Sequence, residues 1–268
     1  MADALSKVYK KKFPFRIGTT SFIYPDHYAA NVQKIAPFFD EIELLFFESR
    51  YPDSLPSQAV IRELQGLAAE HGVTYNIHLP SDVSLGDADT ARRNHAVETI
   101  RRFMDRTRPL DPTTSTLHLV KPEDVQTGTE LRHWQDALCR SMESLISKEI
   151  RGSRISIETL LYPMDQIESV IREFQLSICL DIGHMILSGQ DIGKTFDTWK
   201  DRTAIVHLHG VSGETDHHSL DRLASHHMAQ VLAELRHFTG TVSLEVFSLI
   251  NLYRSITFLE EAWDKYCN

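Results

Sequence analysis

The chain has 268 residues, and 37 acidic residues against 28 Lys and Arg give a formal net charge of −9. Apolar residues at 42% and charged residues at 24% exclude a disordered or low-complexity chain. The acidic balance argues against a broad basic surface, so a nucleic-acid partner is not expected.

Residues 1–15 are polar and carry Lys7, Lys10, Lys11 and Lys12. They lack the apolar run of a signal peptide, and 1–13 reads as a polar extension of one domain spanning 1–268. No apolar stretch approaches the roughly 18 residues of a membrane helix, so no membrane partner is expected. Cys139, Cys179 and Cys267 are scattered and form no C-x-x-C pair, so neither a disulfide framework nor a thiolate zinc site is expected. A cytoplasmic location follows as the expectation.

From there the chain alternates short apolar runs with amphipathic segments. A strand is expected at Arg16–Thr20, a weak helix at 31–39 and a strand at 41–47. The helix at 55–71 has Leu55, Ala59, Val60, Leu64, Leu67 and Ala68 at helical spacing, and Gly72 follows as its stop. A strand at 73–79 precedes a helix at 91–106, and one at 115–120 precedes a helix at 131–148. Strands at 154–158 and 176–181 precede helices at 165–174 and 192–200. Strands at 204–209 and 242–247 precede helices at 220–238 and 250–266. About eight β-α pairs in roughly 250 residues predict a closed (β/α)8 TIM barrel. The open doubly wound sheet is the weaker alternative, because Gly18-Thr19-Thr20-Ser21 has no G-x-G-x-x-G pattern.

The composition is unusual in its 14 histidines. In a barrel the C-terminal strand ends form the active face. Those ends bring His78, His118, Glu158, Asp181 with His184, His207 with His209, and Glu245 to one rim. Asp216, His217 and His218 lie in the loop after the seventh strand. Imidazole and carboxylate are the usual ligands of zinc, manganese and iron. Each residue alone is better read as a satisfied core or capping group. So many charges at one rim would repel without an ion, so a divalent metal is expected, zinc first, with one to three ions. His71, His95, His133, His226, His227 and His237 read as helix residues outside the site, and His27 stays open.

The order His78, His118, Glu158, Asp181-x-x-His184, His207, Asp216-x-His218, Glu245 resembles the xylose isomerase-like TIM-barrel superfamily. That superfamily includes endonuclease IV (AP endonuclease family 2) and the sugar isomerases and epimerases. The resemblance implies Glu158, Asp181, His207 and Glu245 as the shared metal ligands. It implies His78, His118, His184, Asp216 and His218 as the further ligands of the phosphodiesterase branch. Two registers fit the last loop, since the His-His-Ser-Leu string puts His217 in the ligand role instead. Glu158, Glu245 and His184 are the expected catalytic residues.

The strings 17–25 (IGTTSFIYP) and 40–49 (DEIELLFFES) are similar to the cobamide-remodelling phosphodiesterases of that superfamily. The resemblance implies hydrolysis of the phosphoester in a cobamide nucleotide loop, releasing an α-riboside and leaving cobinamide phosphate. The rivals are a sugar or sugar-phosphate isomerase or epimerase and an endonuclease IV-like repair enzyme. A small-molecule substrate is the expected partner. Tyr24, Glu48, Lys121, His209 and His217 are weaker substrate-binding candidates. Arg50, Arg92 and Arg93 are possible phosphate holders. Phe46 and Phe47 are possible apolar surface for a ligand, and the loop 81–89 is a possible lid.

Overall fold

Alternation within each strand decides the architecture. On β2 (Glu41–Leu45), Ile42 and Leu44 point one way and Glu41 and Glu43 the other, and all are buried. The same division recurs along the computed structural model, which describes residues 5–51 and 53–267. The strands are β1 (Arg16–Thr20), β2, β3 (Thr74–His78), β4 (Ser115–Leu117), β5 (Ile155–Glu158), β6 (Ser177–Asp181), β7 (Thr203–Leu208), β8 (Gly210–Ser212), β9 (Thr215–His218) and β10 (Thr241–Leu244). Eight of them pair in parallel and close in the order β1-β10-β7-β6-β5-β4-β3-β2. β8 and β9 form a separate antiparallel hairpin. The predicted (β/α)8 barrel is therefore the fold.

The helices are α1 (Tyr28–Ile35), α2 (Gln58–His71), α3 (Thr90–Thr107), α4 (Gly128–Leu145), α5 (Glu168–Glu173), α6 (Ile182–Leu187), α7 (Ile192–Trp199), α8 (Ser225–Leu235) and α9 (Leu249–Tyr266). The Ser57 side chain caps α2 by accepting from Val60 N, and Gly72 ends it at φ 60°. The apolar strand face, with Ile77, Ile157, Leu180, Val206 and Val242, packs in the main core with helix residues such as Leu64, Ile100 and Leu138. The opposite face carries Asn76, Thr116, Ser156, Cys179 and Ser243, all buried, where barrels usually hold branched aliphatics. The polar interior leads up to the rim.

Three departures from expectation have local causes. The sequence pattern missed α6, because the run is only six residues long and its first turn is capped by Asp181. It also missed the β8–β9 hairpin, whose turn uses Gly213 at φ 64°. The helix expected from 220 starts at Ser225, after a 3-10 turn at Leu220–Arg222.

The 1–13 segment was expected as a polar extension; residues 1–4 lie outside the described ones. From Leu5 onward, Leu5, Tyr9, Phe13 and Phe15 are buried, whereas Val8 is exposed, and Lys10 and Lys12 reach His71 O and Glu260. Tyr9 stacks on Phe39 with centroids 5.8 Å apart, and Phe13 and Phe15 each meet Trp263 edge-on at 5.4 Å. Among the described residues, no helix is long and apolar enough to cross a membrane.

Candidate metal centre

Strand register brings the rim residues level. Asp181 and Ser243 are the β-partners of His207, and Cys179 is the β-partner of Glu158. Glu158, Asp181, His207 and Glu245 are all buried, and each offers a ligand atom within 4.8 Å of the others. His207 Nδ1 lies 3.0 Å from Glu245 Oε2, 3.7 Å from Glu158 Oε2 and 3.8 Å from Asp181 Oδ2. Yet His207 Nδ1 and Glu245 Oε2 have no hydrogen-bond partner. Buried polar atoms without partners are costly, and these point at a common centre. The donor set fits a divalent cation such as zinc or manganese.

Two further sets adjoin the first. His78, His118 and Glu158 form one, and His184, Asp216 and His217 form the other. Glu158 joins them, with Oε2 2.9 Å from His118 Nε2 and 3.3 Å from His78 Nε2, and Oε1 3.2 Å from His184 Nδ1. His184 Nε2 lies 3.3 Å from Asp216 Oδ2. The set His209, His217 and Glu245 lies alongside.

Backbone carbonyls fix three imidazoles. His78 Nδ1 donates to Leu79 O at 3.0 Å, His184 Nδ1 to Thr159 O at 3.1 Å and His217 Nδ1 to Glu245 O at 3.2 Å. A carbonyl only accepts, so in each ring Nε2 is left free to ligate. Asp181 caps α6 by accepting from His184 N at 2.7 Å, and its other oxygen lies 3.1 Å from His209 Nε2.

Charge pairing outweighs burial at Glu158, Asp181, Glu245, His78, His184 and His207. Burial would raise the Glu158 carboxyl, but His118, His184 and His78 hold it well below the usual range. Burial likewise opposes His207 on Glu245, and His209 and His184 on Asp181, and both carboxyls are lowered. Burial would lower His184, but Asp181 and Glu158 lift it to about 10. His78 rises against its burial through Glu158, and His207 rises well above the ordinary value among Cys179, Glu43 and Glu245. Without a metal ion, the carboxylates thus favour the protonated form of His78, His184 and His207.

The structure brings together His78, His118, Glu158, Asp181, His184, His207, Asp216 and Glu245. It also brings in His209 and His217. It does not bring in His218, whose Nε2 pairs with Thr215 Oγ1 at 2.9 Å. On a regular strand, residues 216 and 218 would share a face. His217 sits at φ 53° in a hairpin whose register shifts, which breaks the alternation and turns His217 to the side of Asp216. Of the two registers left open, the structure places His217 in the cluster.

The other weaker candidates mostly have partners of their own. Tyr24 lies under Lys34, whose Nζ is 4.8 Å from the ring centroid. Glu48 pairs with Arg50 at 3.0 Å, and Lys121 lies over Tyr162 at 5.7 Å. Arg92 pairs with Asp87 at 2.7 Å. Arg93 is buried and spends its donors on Asp87 O, Ala88 O and Thr90 Oγ1, so it holds a loop rather than facing a ligand. Phe46 is core, whereas Phe47 meets His78 edge-on at 4.7 Å. The 81–89 loop is pinned: Asp82 accepts from Ser49 N, Ser141 bonds Leu85 O, and Gly86 lies against Trp134.

Sequence reasoning missed Glu43. It is fully buried, and its Oε1 lies 3.0 Å from His207 Nε2. The signal was present in Glu41-Ile42-Glu43-Leu44, a period-2 alternation of acid and aliphatic that aims both acids into the barrel.

Residues 32–262 match the family model described as xylose isomerase-like TIM barrel. No curated protein matches the sequence. The chain is similar in fold to a D-tagatose 3-epimerase-like protein, with TM-score 0.77 and 20% identity over 94% of this chain and 98% of that one. It is also similar to the D-allulose 3-epimerase of Methylomonas sp., with TM-score 0.67 and 16% identity over 97% and 91% of the two chains. Endonuclease IV from Thermus thermophilus gives a TM-score of 0.68 and 18% identity, over 92% of this chain and 99% of that one. At these identities the likeness is one of fold.

Proposed function

The chain belongs to the xylose isomerase-like TIM barrel family, and from that premise we propose that it is a divalent-metal-dependent phosphodiesterase. The observation that carries this reading is the extension of the buried set Glu158, Asp181, His207 and Glu245 into two adjoining imidazole-rich sets. A single-ion site needs only the first. Ions bound there would polarise a phosphoryl oxygen and acidify the attacking water.

The chain's own residues divide by depth. Glu158, Asp181, His207 and Glu245 lie at the floor, at most 2% exposed. His118, His184, Asp216 and His217 are 13–32% exposed and form the side a substrate meets. In hydrolysis water adds to phosphorus, the opposite P–O bond breaks, and the leaving oxygen takes a proton. His184 and His217, held by their Nδ1–H bonds, keep fixed Nε2 atoms towards that side. Glu158 and Glu245, both held ionised by neighbouring imidazoles, supply the negative charge that would hold the ions. The sequence strings at 17–25 and 40–49 favour a cobamide nucleotide loop as the phosphodiester.

A second reading is a sugar epimerase. It is favoured by one observation: Glu158 and Glu245 share a single four-residue set, as an acid and a base around one ion would. Five of the similar structures are named as 3-epimerases or 3-epimerase-like. One experiment separates the readings. Bound metal is counted in the purified protein, which is then incubated with a cobamide and, separately, with ketohexoses. Two or three ions and release of an α-riboside support the first reading. One ion with C-3 epimerisation and no riboside sinks it.

A further inference from the structure

Two glutamates two residues apart on β2 point into the barrel, and both are fully buried. Their surroundings differ completely. Glu41 meets a cation and three hydroxyl or amide donors: Arg16 Nε at 3.2 Å, Thr74 Oγ1 at 2.7 Å, Asn76 Nδ2 at 2.9 Å and Thr113 Oγ1 at 2.9 Å. It is a satisfied structural carboxylate. Glu43 has one hydrogen bond, from Ser243 Oγ to its Oε2 at 2.6 Å. Its Oε1 is buried without a partner, and so is His207 Nε2, 3.0 Å away.

His207 is also oriented differently from three of the site's imidazoles. His78, His184 and His217 give Nδ1–H to a backbone carbonyl and leave Nε2 free. His207 is reversed. Its Nδ1 faces Glu158, Asp181 and Glu245, and its Nε2 faces Glu43. Neutral imidazole carries one hydrogen. With Nδ1 spent as a ligand atom, that hydrogen sits on Nε2, and Glu43 Oε1 is the acceptor beside it.

We propose that Glu43 is a positioning residue of the metal centre: it accepts a hydrogen bond from His207 Nε2 and so fixes the ring with Nδ1 towards Glu158, Asp181 and Glu245. Ser243 holds the carboxylate from its other oxygen. One bond satisfies the two unpartnered buried atoms at once. A carboxylate behind a ligating histidine orients the ring and raises its basicity, and its loss typically costs about 10–100-fold in metal affinity. The inference rests on the reading of this cluster as a metal centre, but not on which reaction it performs.

The test measures zinc affinity by chelator competition, together with the melting temperature of the metal-free protein. Wild type, Glu43→Gln, Ser243→Ala and Glu41→Gln are compared. Glu43→Gln is expected to weaken zinc binding about 10–100-fold without lowering the metal-free melting temperature. Glu41→Gln is expected to do the reverse, lowering the melting temperature with zinc affinity within about twofold of wild type. A role that is only structural would make the two variants behave alike. Zinc affinity in Glu43→Gln within about twofold of wild type overturns the proposal. If Glu43→Gln does not fold, Ser243→Ala decides: a loss of threefold or more supports the proposal, and unchanged affinity overturns it. A wild-type protein that binds no zinc, manganese or iron overturns the metal reading itself. A variant that binds like a metal-loaded wild type overturns only the role of Glu43.

Discussion

Gly183 lies where a β-carbon would overlap the imidazole of His209, 2.0 Å from its Cε1. The His209 ring fills the space that a side chain at 183 would need. From there His209 Nε2 reaches Asp181 Oδ2, and His217 N donates to His209 Nδ1 at 3.0 Å. Gly183→Ala is therefore expected to push His209 off Asp181 and to loosen His217. Overpacking of this kind costs about 1–3 kcal/mol. Thermal unfolding and a zinc titration check it. A variant with wild-type melting temperature and zinc affinity would show that His209 has room to move.

Glu158 is the residue shared by His78, His118 and His184. Glu158→Gln keeps the shape and removes the charge that draws all three. Loss of an outer-sphere partner costs about 10–100-fold in metal affinity, so loss of a direct ligand should cost at least that. Metal content and turnover are expected to fall together. Full turnover in Glu158→Gln would remove Glu158 from the site.

The adjacent pair His217 and His218 gives a sharper test of the rim. His217 Nδ1 bonds Glu245 O and its ring lies 4.4 Å from that of His209, whereas His218 bonds Thr215. His217→Ala is expected to lower the number of ions bound per chain and the activity. His218→Ala is expected to leave both near wild type, a surface change within about 0.5 kcal/mol of stability. The opposite ranking in elemental analysis would restore the Asp-x-His register.

The contrast between those two residues shows where sequence legibility ends. The barrel was legible because β-α spacing is a chain-local property. Most rim residues were legible because strand ends define the active face. The choice between His217 and His218 was not, since it turns on one positive φ in a hairpin with shifted register. Glu43 was hidden for another reason. It lies in mid-strand, and only the closed barrel shows that His207 from β7 reaches it across the interior.

Protonation provides a measurement independent of substrate. With its pKa lifted to about 10, His184 carries a proton at pH 8 in the metal-free protein. An imidazole must lose that proton to ligate. Adding zinc to chelator-stripped protein at pH 8 should release protons, and apparent zinc affinity should rise with pH towards 10. The sign for folding runs the other way. A raised His pKa contributes stability that is full below about 6.5 and is lost as pH rises through about 10. The metal-free protein should therefore melt lower at pH 10 than at pH 6.5. Titration calorimetry in buffers of different ionisation enthalpy reads the proton count. No proton release at pH 8 would mean that the imidazoles are already neutral.

The far end of the barrel should affect stability without affecting chemistry. Phe13 is buried, stacks on Phe15 with centroids 5.0 Å apart and meets Trp263 edge-on. These aromatics tie the N-terminal segment to α9, and β1 begins directly after Phe15. Phe13→Ala removes a buried ring and leaves a cavity, a change worth about 3–5 kcal/mol. None of the clustered ligand atoms comes from this segment. The melting temperature should fall well below that of wild type, while zinc affinity and turnover at a temperature where both proteins are folded should match. A parallel loss of zinc affinity in the folded variant would mean that the segment supports the rim through β1, and the two ends of the barrel could no longer be treated as independent.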